Sequence, residues 1–164
     1  MYKRMLVPVS ASAASMLGLR EAVRFAKDQQ ARLRIVHIVD ESALVQYPES
    51  VDITGKVLDS FVKDGEKTLR DAVAFANRLG IKAEHVLYKS VVGALTDVIL
   101  KEAKNWRADV IVMGAHEQSK LEHFFLGSDA ETIARSTHLP VLLIHAAAAA
   151  SKRKTAVPPK RARA

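Results

Sequence analysis

The stretch Val110-Ile111-Val112-Met113-Gly114-Ala115-His116-Glu117, continued at Gly127-Ser128-Asp129, decides the fold. Four apolar, mostly β-branched residues run into a glycine, and a polar loop leads to a second glycine that opens a helix. That is the pattern of a buried strand, a loop and a helix N-terminus. In a parallel α/β sheet the carboxyl end of such a strand and the unpaired N–H groups of the next helix face one crevice. A phosphate placed there meets aligned donors and the positive end of the helix dipole. Glu117 and Asp129 have the wrong sign for such a cradle.

Upstream, Met5–Val9 reads as a first strand, followed by the turn Ser10-Ala11-Ser12. Ser12 or Ser15 is placed to cap a helix whose apolar residues Met16, Leu19, Val23 and Ala26 recur at spacings of three and four, and which ends before Ala31. Leu33–Val39 is a second strand rich in branched residues, leading into a long loop with Tyr47-Pro48. From about Asp52 to Leu79, the residues Leu58, Val62, Gly65, Leu69, Ala72, Ala76 and Leu79 form one helical stripe, and Gly80 supplies the stop. Gly65 inside that stripe costs about 1 kcal/mol relative to alanine, so close packing is its expected reason.

Ala83–Tyr88 is a weaker strand, and Leu95, Ile99, Ala103 and Trp106 mark a third helix. After the strand Val110–Met113, a short helix from Ser128 is expected to turn Ile133 and Ala134 inward; Leu139-Pro140 ends it, and Val141–Ile144 is the last strand. Strict β-α alternation with strands apolar throughout predicts a parallel sheet covered by helices on both faces.

Length fits a single domain, residues 1–146, with a tail at 147–164 rich in Ala, Lys, Arg and Pro and lacking the residues needed to bury anything. Of the 25 basic residues, six lie in the tail from Ser151, which leaves 19 basic against 18 acidic in the body. A near-neutral body argues against a broad nucleic-acid-binding face on the fold. The tail reads either as a solubilising appendage or as a weak, salt-sensitive attractor of acidic surfaces. Cysteine is absent, which excludes disulfides, thiolate metal sites and a thiol nucleophile. No run of about 18 apolar residues is present, and the apolar start is too short and proline-broken for a secretory leader, so a cytoplasmic location is expected.

The segments Ala108-Asp109-Val110-Ile111-Val112-Met113-Gly114-Ala115-His116, Leu126-Gly127-Ser128 and His138-Leu139-Pro140-Val141-Leu142-Leu143-Ile144 resemble the universal stress protein family. Leu6-Val7-Pro8-Val9 and Val36-His37-Ile38-Val39-Asp40 extend the resemblance to about residues 2 to 145. It implies a flavodoxin-like α/β sandwich of the adenine nucleotide α-hydrolase-like type, with a five-stranded parallel sheet in the order 3-2-1-4-5. It also implies a homodimer paired around the last strand, Val141–Ile144, and a role in stress survival or regulation.

Many family members bind ATP through a motif of glycine, two residues, glycine, nine residues, glycine, then serine or threonine. Gly114, Gly127 and Ser128 fill three of its positions, and Glu117 stands where the second glycine belongs. Asp129 takes the apolar position after the serine, and Ser10 stands where an aspartate usually follows the first strand's proline. The resemblance thus marks Pro8, Val9, Ser10, Ile38, Met113, Gly114, Gly127 and Ser128 as nucleotide-binding candidates, with Glu117 and Asp129 opposing phosphate. ATP or another adenine nucleotide is the implied ligand, with Mg²⁺ if bound. Weak or absent ATP binding is the primary expectation; an ATP-binding sensor that tolerates the two carboxylates is the alternative.

Two glycines also have a bland reading, as a strand-end turn and a close helix contact. His116, His123, Glu117 and Glu122 do not form His-Glu-x-x-His, and no metal site is expected. His37 and His145 read as packed or surface residues at strand ends. No P-loop or nucleophile-elbow motif occurs, and Ser10, Ser12 and Ser128 have no catalytic context, so no catalytic residues and no enzymatic turnover are expected, a slow ATPase being the remote exception.

Overall fold

The computed structural model describes residues 1–40, 56–90, 95–115 and 128–145. Among them, strands and helices alternate as β1 (Arg4–Pro8), α1 (Ala13–Gln29), β2 (Arg32–Asp40), α2 (Lys56–Arg78), β3 (Glu84–Ser90), α3 (Leu95–Trp106), β4 (Val110–Ala115), α4 (Ser128–Ser136) and β5 (Val141–His145). All strand pairs are parallel, in the order β3-β2-β1-β4-β5. The flavodoxin-like order implied by the resemblance is therefore what the chain adopts. The sequence's tail lies outside the described residues.

Because side chains alternate across a strand, the sheet has two cores. On one face Val7, Leu33, Ile35 and Val112 pack with Leu19, Val23 and Ala26 of α1 and with Leu69, Ala72 and Ala76 of α2. On the other, Leu6, Val36, Ile111 and Met113 pack with Ile99, Ala103 and Trp106 of α3 and with Ala130 and Ile133 of α4. Ser12 caps α1, its hydroxyl accepting from the Ser15 N–H at 3.1 Å. Gly80 closes α2 at φ +84, a conformation that favours glycine. Gly65 lies where a Cβ would come within 2.7 Å of Val39 Cγ2 and 3.0 Å of His37 Cδ2, so close packing does account for it.

Several sequence expectations are corrected. β4 runs two residues past Met113, so Gly114 lies within the strand, opposite Ile144, rather than in a turn after it. β1 ends at Pro8, one residue before Val9. His37 sits inside β2 instead of at its end. In α4 the inward pair is Ala130 and Ile133, and Ala134 is exposed, because the short helix rests on the sheet along a single narrow edge. Leu79 falls beyond α2 and is exposed, since the stripe ends one turn earlier at Ala76. The expected first turn of α2 at 52–55 lies outside the described residues.

A partly buried polar network lies under α3. Arg34 on β2 donates to Glu84 of β3 and to Glu102 of α3, each at 2.6 Å, and its guanidinium stacks on the Trp106 ring at 4.9 Å. The Trp106 indole N–H donates to Glu84 at 3.1 Å, Arg32 also pairs with Glu84, and the Tyr88 hydroxyl donates to Glu102. Glu102 is only 4% exposed, a burial tolerated because both carboxylate oxygens have donors. Burial pushes the Glu84 carboxyl up, but hydrogen bonds from Arg34, Arg32 and Trp106 outweigh it and hold it below its ordinary value. The hydrogen bond to Glu102, reinforced by burial, pushes the Tyr88 hydroxyl up to about 12.

A raised tyrosine pKa means that the fold favours the protonated phenol. Its contribution is complete below the ordinary value of 10 and is lost as the pH climbs through about 12. Tyr88→Phe should cost about 1.5 kcal/mol at neutral pH, as for a hydrogen bond to a charged group. The gap between variant and wild type in urea unfolding should close between pH 10 and 12; a gap independent of pH would contradict this account of the network.

Candidate functional site

The strand order reverses at β1, whose neighbours are β2 on one side and β4 on the other. At such a switch point the crossovers leave in opposite directions, and a crevice opens at the strands' carboxyl ends. The pairing of β1 with β4 is recorded at Met5–Val110 and Leu6–Ile111, and both strands continue beyond these positions. Pro8, Val9 and Ser10 leave from this end of β1, Ile38 stands near the same end of β2, and Met113 and Gly114 lie near the same end of β4. α4 starts at Ser128, so Asp129 stands in its first turn. The structure thus brings the described candidates to one end of the sheet. Gly127 and Glu117 lie outside the described residues.

Val9, Ile38 and Met113 are buried, whereas Ser10 is exposed. The serines around α1's start form a chain: the Ser10 N–H donates to Ser15 Oγ at 2.8 Å, and the Ser10 hydroxyl donates to Ser12 Oγ at 3.0 Å. These hydroxyls therefore act first as caps that fix the β1–α1 turn. His37 Nδ1 lies 2.8 Å from the Val9 carbonyl oxygen, which can only accept, so that nitrogen carries the proton.

Gly114 has a structural reason of its own. A Cβ there would fall 1.8 Å from the Ala14 carbonyl oxygen and 2.8 Å from the Ser15 nitrogen, in the first turn of α1. Gly18 repeats the condition from the helix side, since its Cβ would fall 2.3 Å from the Gly114 nitrogen. Backbone meets backbone between α1 and β4, and the close-helix-contact reading of Gly114 holds.

Sequence reasoning missed four structural roles. Asp109 accepts from the main-chain N–H groups of Lys3 at 2.7 Å and Arg4 at 3.1 Å, tying the start of β1 to β4. Gly18 and the His37–Val9 bond depend on tertiary approach and leave no local signal. Glu102 did leave one, because it shares a helical face with Ile99, Ala103 and Trp106 and so had to be buried. Among the described residues, no three His, Asp or Glu side chains gather as metal ligands, and no helix is long and apolar enough to cross a membrane.

The universal stress protein family model matches residues 1–145, almost the whole span of the sheet and its helices. The chain belongs to the universal stress protein family. A universal stress protein of Bacillus subtilis is 31% identical over 152 residues, covering 88% of this chain and 99% of that protein. A solved family member from Burkholderia pseudomallei is 28% identical, with TM-score 0.67 over 87% of this chain and 96% of its own. The universal stress protein from Archaeoglobus fulgidus, solved in complex with dAMP, has TM-score 0.64 at 22% identity, covering 87% of this chain and 97% of that one.

Replacing Gly114 by alanine should cost about 3 kcal/mol in urea unfolding of the nucleotide-free protein, as overpacking against an unyielding backbone does. An unchanged midpoint would show that the α1–β4 contact relaxes easily and would return Gly114 to a ligand role.

Proposed function

We propose that this universal stress protein is a non-enzymatic, cytoplasmic stress-response regulator whose switch-point crevice takes an adenine nucleotide with one phosphate in preference to ATP. The observation that carries this reading is Asp129 in the first turn of α4. A carboxylate there interacts favourably with the helix N-terminus by roughly 0.3–1 kcal/mol, filling the electrostatic role of a distal phosphate. Glu117, two residues beyond β4, adds bulk and negative charge where the family's motif has glycine. Both changes act on the phosphate chain and leave the buried candidates Val9, Ile38 and Met113 untouched.

The dAMP held by the Archaeoglobus fulgidus relative is a nucleotide of that kind. Ser10, in place of an aspartate, offers a neutral hydroxyl already engaged with Ser12, which weakens polar selection on the nucleoside side. Binding without turnover is supported by the engagement of the nearby serines in capping and of His37 Nδ1 with the Val9 carbonyl. The two acids also support a second reading, an ATP sensor in which Glu117 and Asp129 would share a divalent cation with the phosphates.

Calorimetric titration separates the readings. AMP should bind more tightly than ATP, and Glu117→Gly combined with Asp129→Val should tighten ATP by about tenfold, the value of roughly 1.4 kcal/mol of relieved repulsion. Wild-type ATP affinity equal to or above that for AMP, appearing only with Mg²⁺, would establish the sensor instead. We also propose a homodimer through β5, an edge strand whose Val141–Ile144 side chains are only partly buried within one chain. Light scattering should give twice the monomer mass, and a monomer across the micromolar range would refute it.

A further inference from the structure

The parallel ladder between β1 and β2 pairs Arg4 with Arg32 through Pro8 with Val36, and its last rung is the Val9 N–H donating to the Val36 carbonyl at 2.8 Å. In a parallel pair the next bond would run from the main-chain N–H two residues on, Ile38, back to the Val9 carbonyl. That carbonyl is instead engaged by a side chain, the His37 Nδ1 at 2.8 Å. The strand ends at Pro8, and the chain turns at Ser10 into the serine-capped start of α1.

The ring is held from above as well. Gly65 of α2 leaves the space beside His37, where a Cβ would lie 3.0 Å from Cδ2 and 3.1 Å from Nε2. His37 therefore spans three elements, with its backbone in β2, its Nδ1 on the departing end of β1 and its edge under α2.

We propose that His37 is the positioning residue of the crevice: by holding the Val9 carbonyl it ends β1, fixes the Val9–Ser10 turn and keeps the Ile38 main chain turned towards the crevice. It acts through Val9 and Ser10 and needs no contact with a ligand. Its bearing on nucleotide binding rests on the adenine-nucleotide reading above, but the geometry can be tested without that reading.

Two measurements on the wild type and two variants decide it. Long-range ¹H–¹⁵N correlation at a pH where the ring is neutral should show His37 protonated at Nδ1, the less common tautomer of free histidine; protonation at Nε2 would overturn the proposal whether or not any variant folds. His37→Leu should speed hydrogen exchange of the Ser10 amide by about tenfold, as for one lost hydrogen bond, and His37→Asn, whose Nδ2 can take the place of Nδ1, should restore it.

The same pair titrated with AMP should show about tenfold weaker binding for leucine and recovery for asparagine. Unchanged Ser10 exchange in folded His37→Leu, or AMP affinity unchanged in it, would overturn the proposal. Absence of AMP binding by the wild type would instead refute the nucleotide reading, leaving tautomer and exchange to decide the role of His37.

Discussion

The structure depends on one contact between two main chains, the meeting of α1 with β4 at Gly18 and Gly114. A methyl group on either residue would overlap backbone atoms of the other element. Backbone cannot swing aside as a side chain can, so the spacing of α1 above the sheet is set by the absence of two Cβ atoms. Leu19, Ala22 and Val23 follow Gly18 on the helix and are buried against the central strands. The same contact carries the first turn of α1, with its Ser12 cap, to the place where β1 and β4 part. The placing of this first turn beside the ends of β1 and β4 is in this sense a by-product of helix packing, set before any ligand is considered.

The opposite face is organised by charge instead of close approach. Arg34 lies on β2 between Leu6 of β1 and Glu84 of β3, and its charge would be costly there without Glu84, Glu102 and the Trp106 ring. Apolar replacement of such clusters is often close to neutral, but the geometry is demanding: three carboxylate and phenol contacts must be met by β2, β3 and α3 at once. It thereby sets the register of α3 on the sheet, a task that Ile99 and Ala103 alone would leave loosely defined. Asp109 does similar work at the start of β1, where two main-chain N–H groups converge on one carboxylate.

The fold was legible because it rests on local periodicity. The apolar runs at Met5–Val9, Leu33–Val39 and Val110–Met113, and the stripe through Leu69, Ala72 and Ala76, each imply an element without knowledge of its partners. Boundaries were less legible where tertiary contacts set them. β4 extends through Gly114 because β5 pairs with it there, whereas β1 stops short of Val9 because His37 engages the Val9 carbonyl. The candidate site was marked by Gly114, Gly127 and Ser128; its members among the described residues stand at one end of the sheet, and Gly127 lies outside them. The Arg34 network and Gly18 were not, since each depends on residues distant in sequence that only packing brings together.

This division bears on how the nucleotide motif is to be read. Gly114 is demanded by Ala14 and Ser15 of α1, so its presence reports the fold and would persist in a chain that binds nothing. Ser12 and Ser15 are likewise accounted for by the cap. Positions 117 and 129 are different, because in a protein that cradles a triphosphate their small or apolar character would serve the ligand. The substitutions that separate this chain from the motif fall at those positions and at Ser10, while the position shown to be structural is intact. Selection for folding alone suffices to keep Gly114; under the proposed reading the informative residues for the ligand are Glu117, Asp129 and Ser10, and the two carboxylates among them disfavour a long anionic chain.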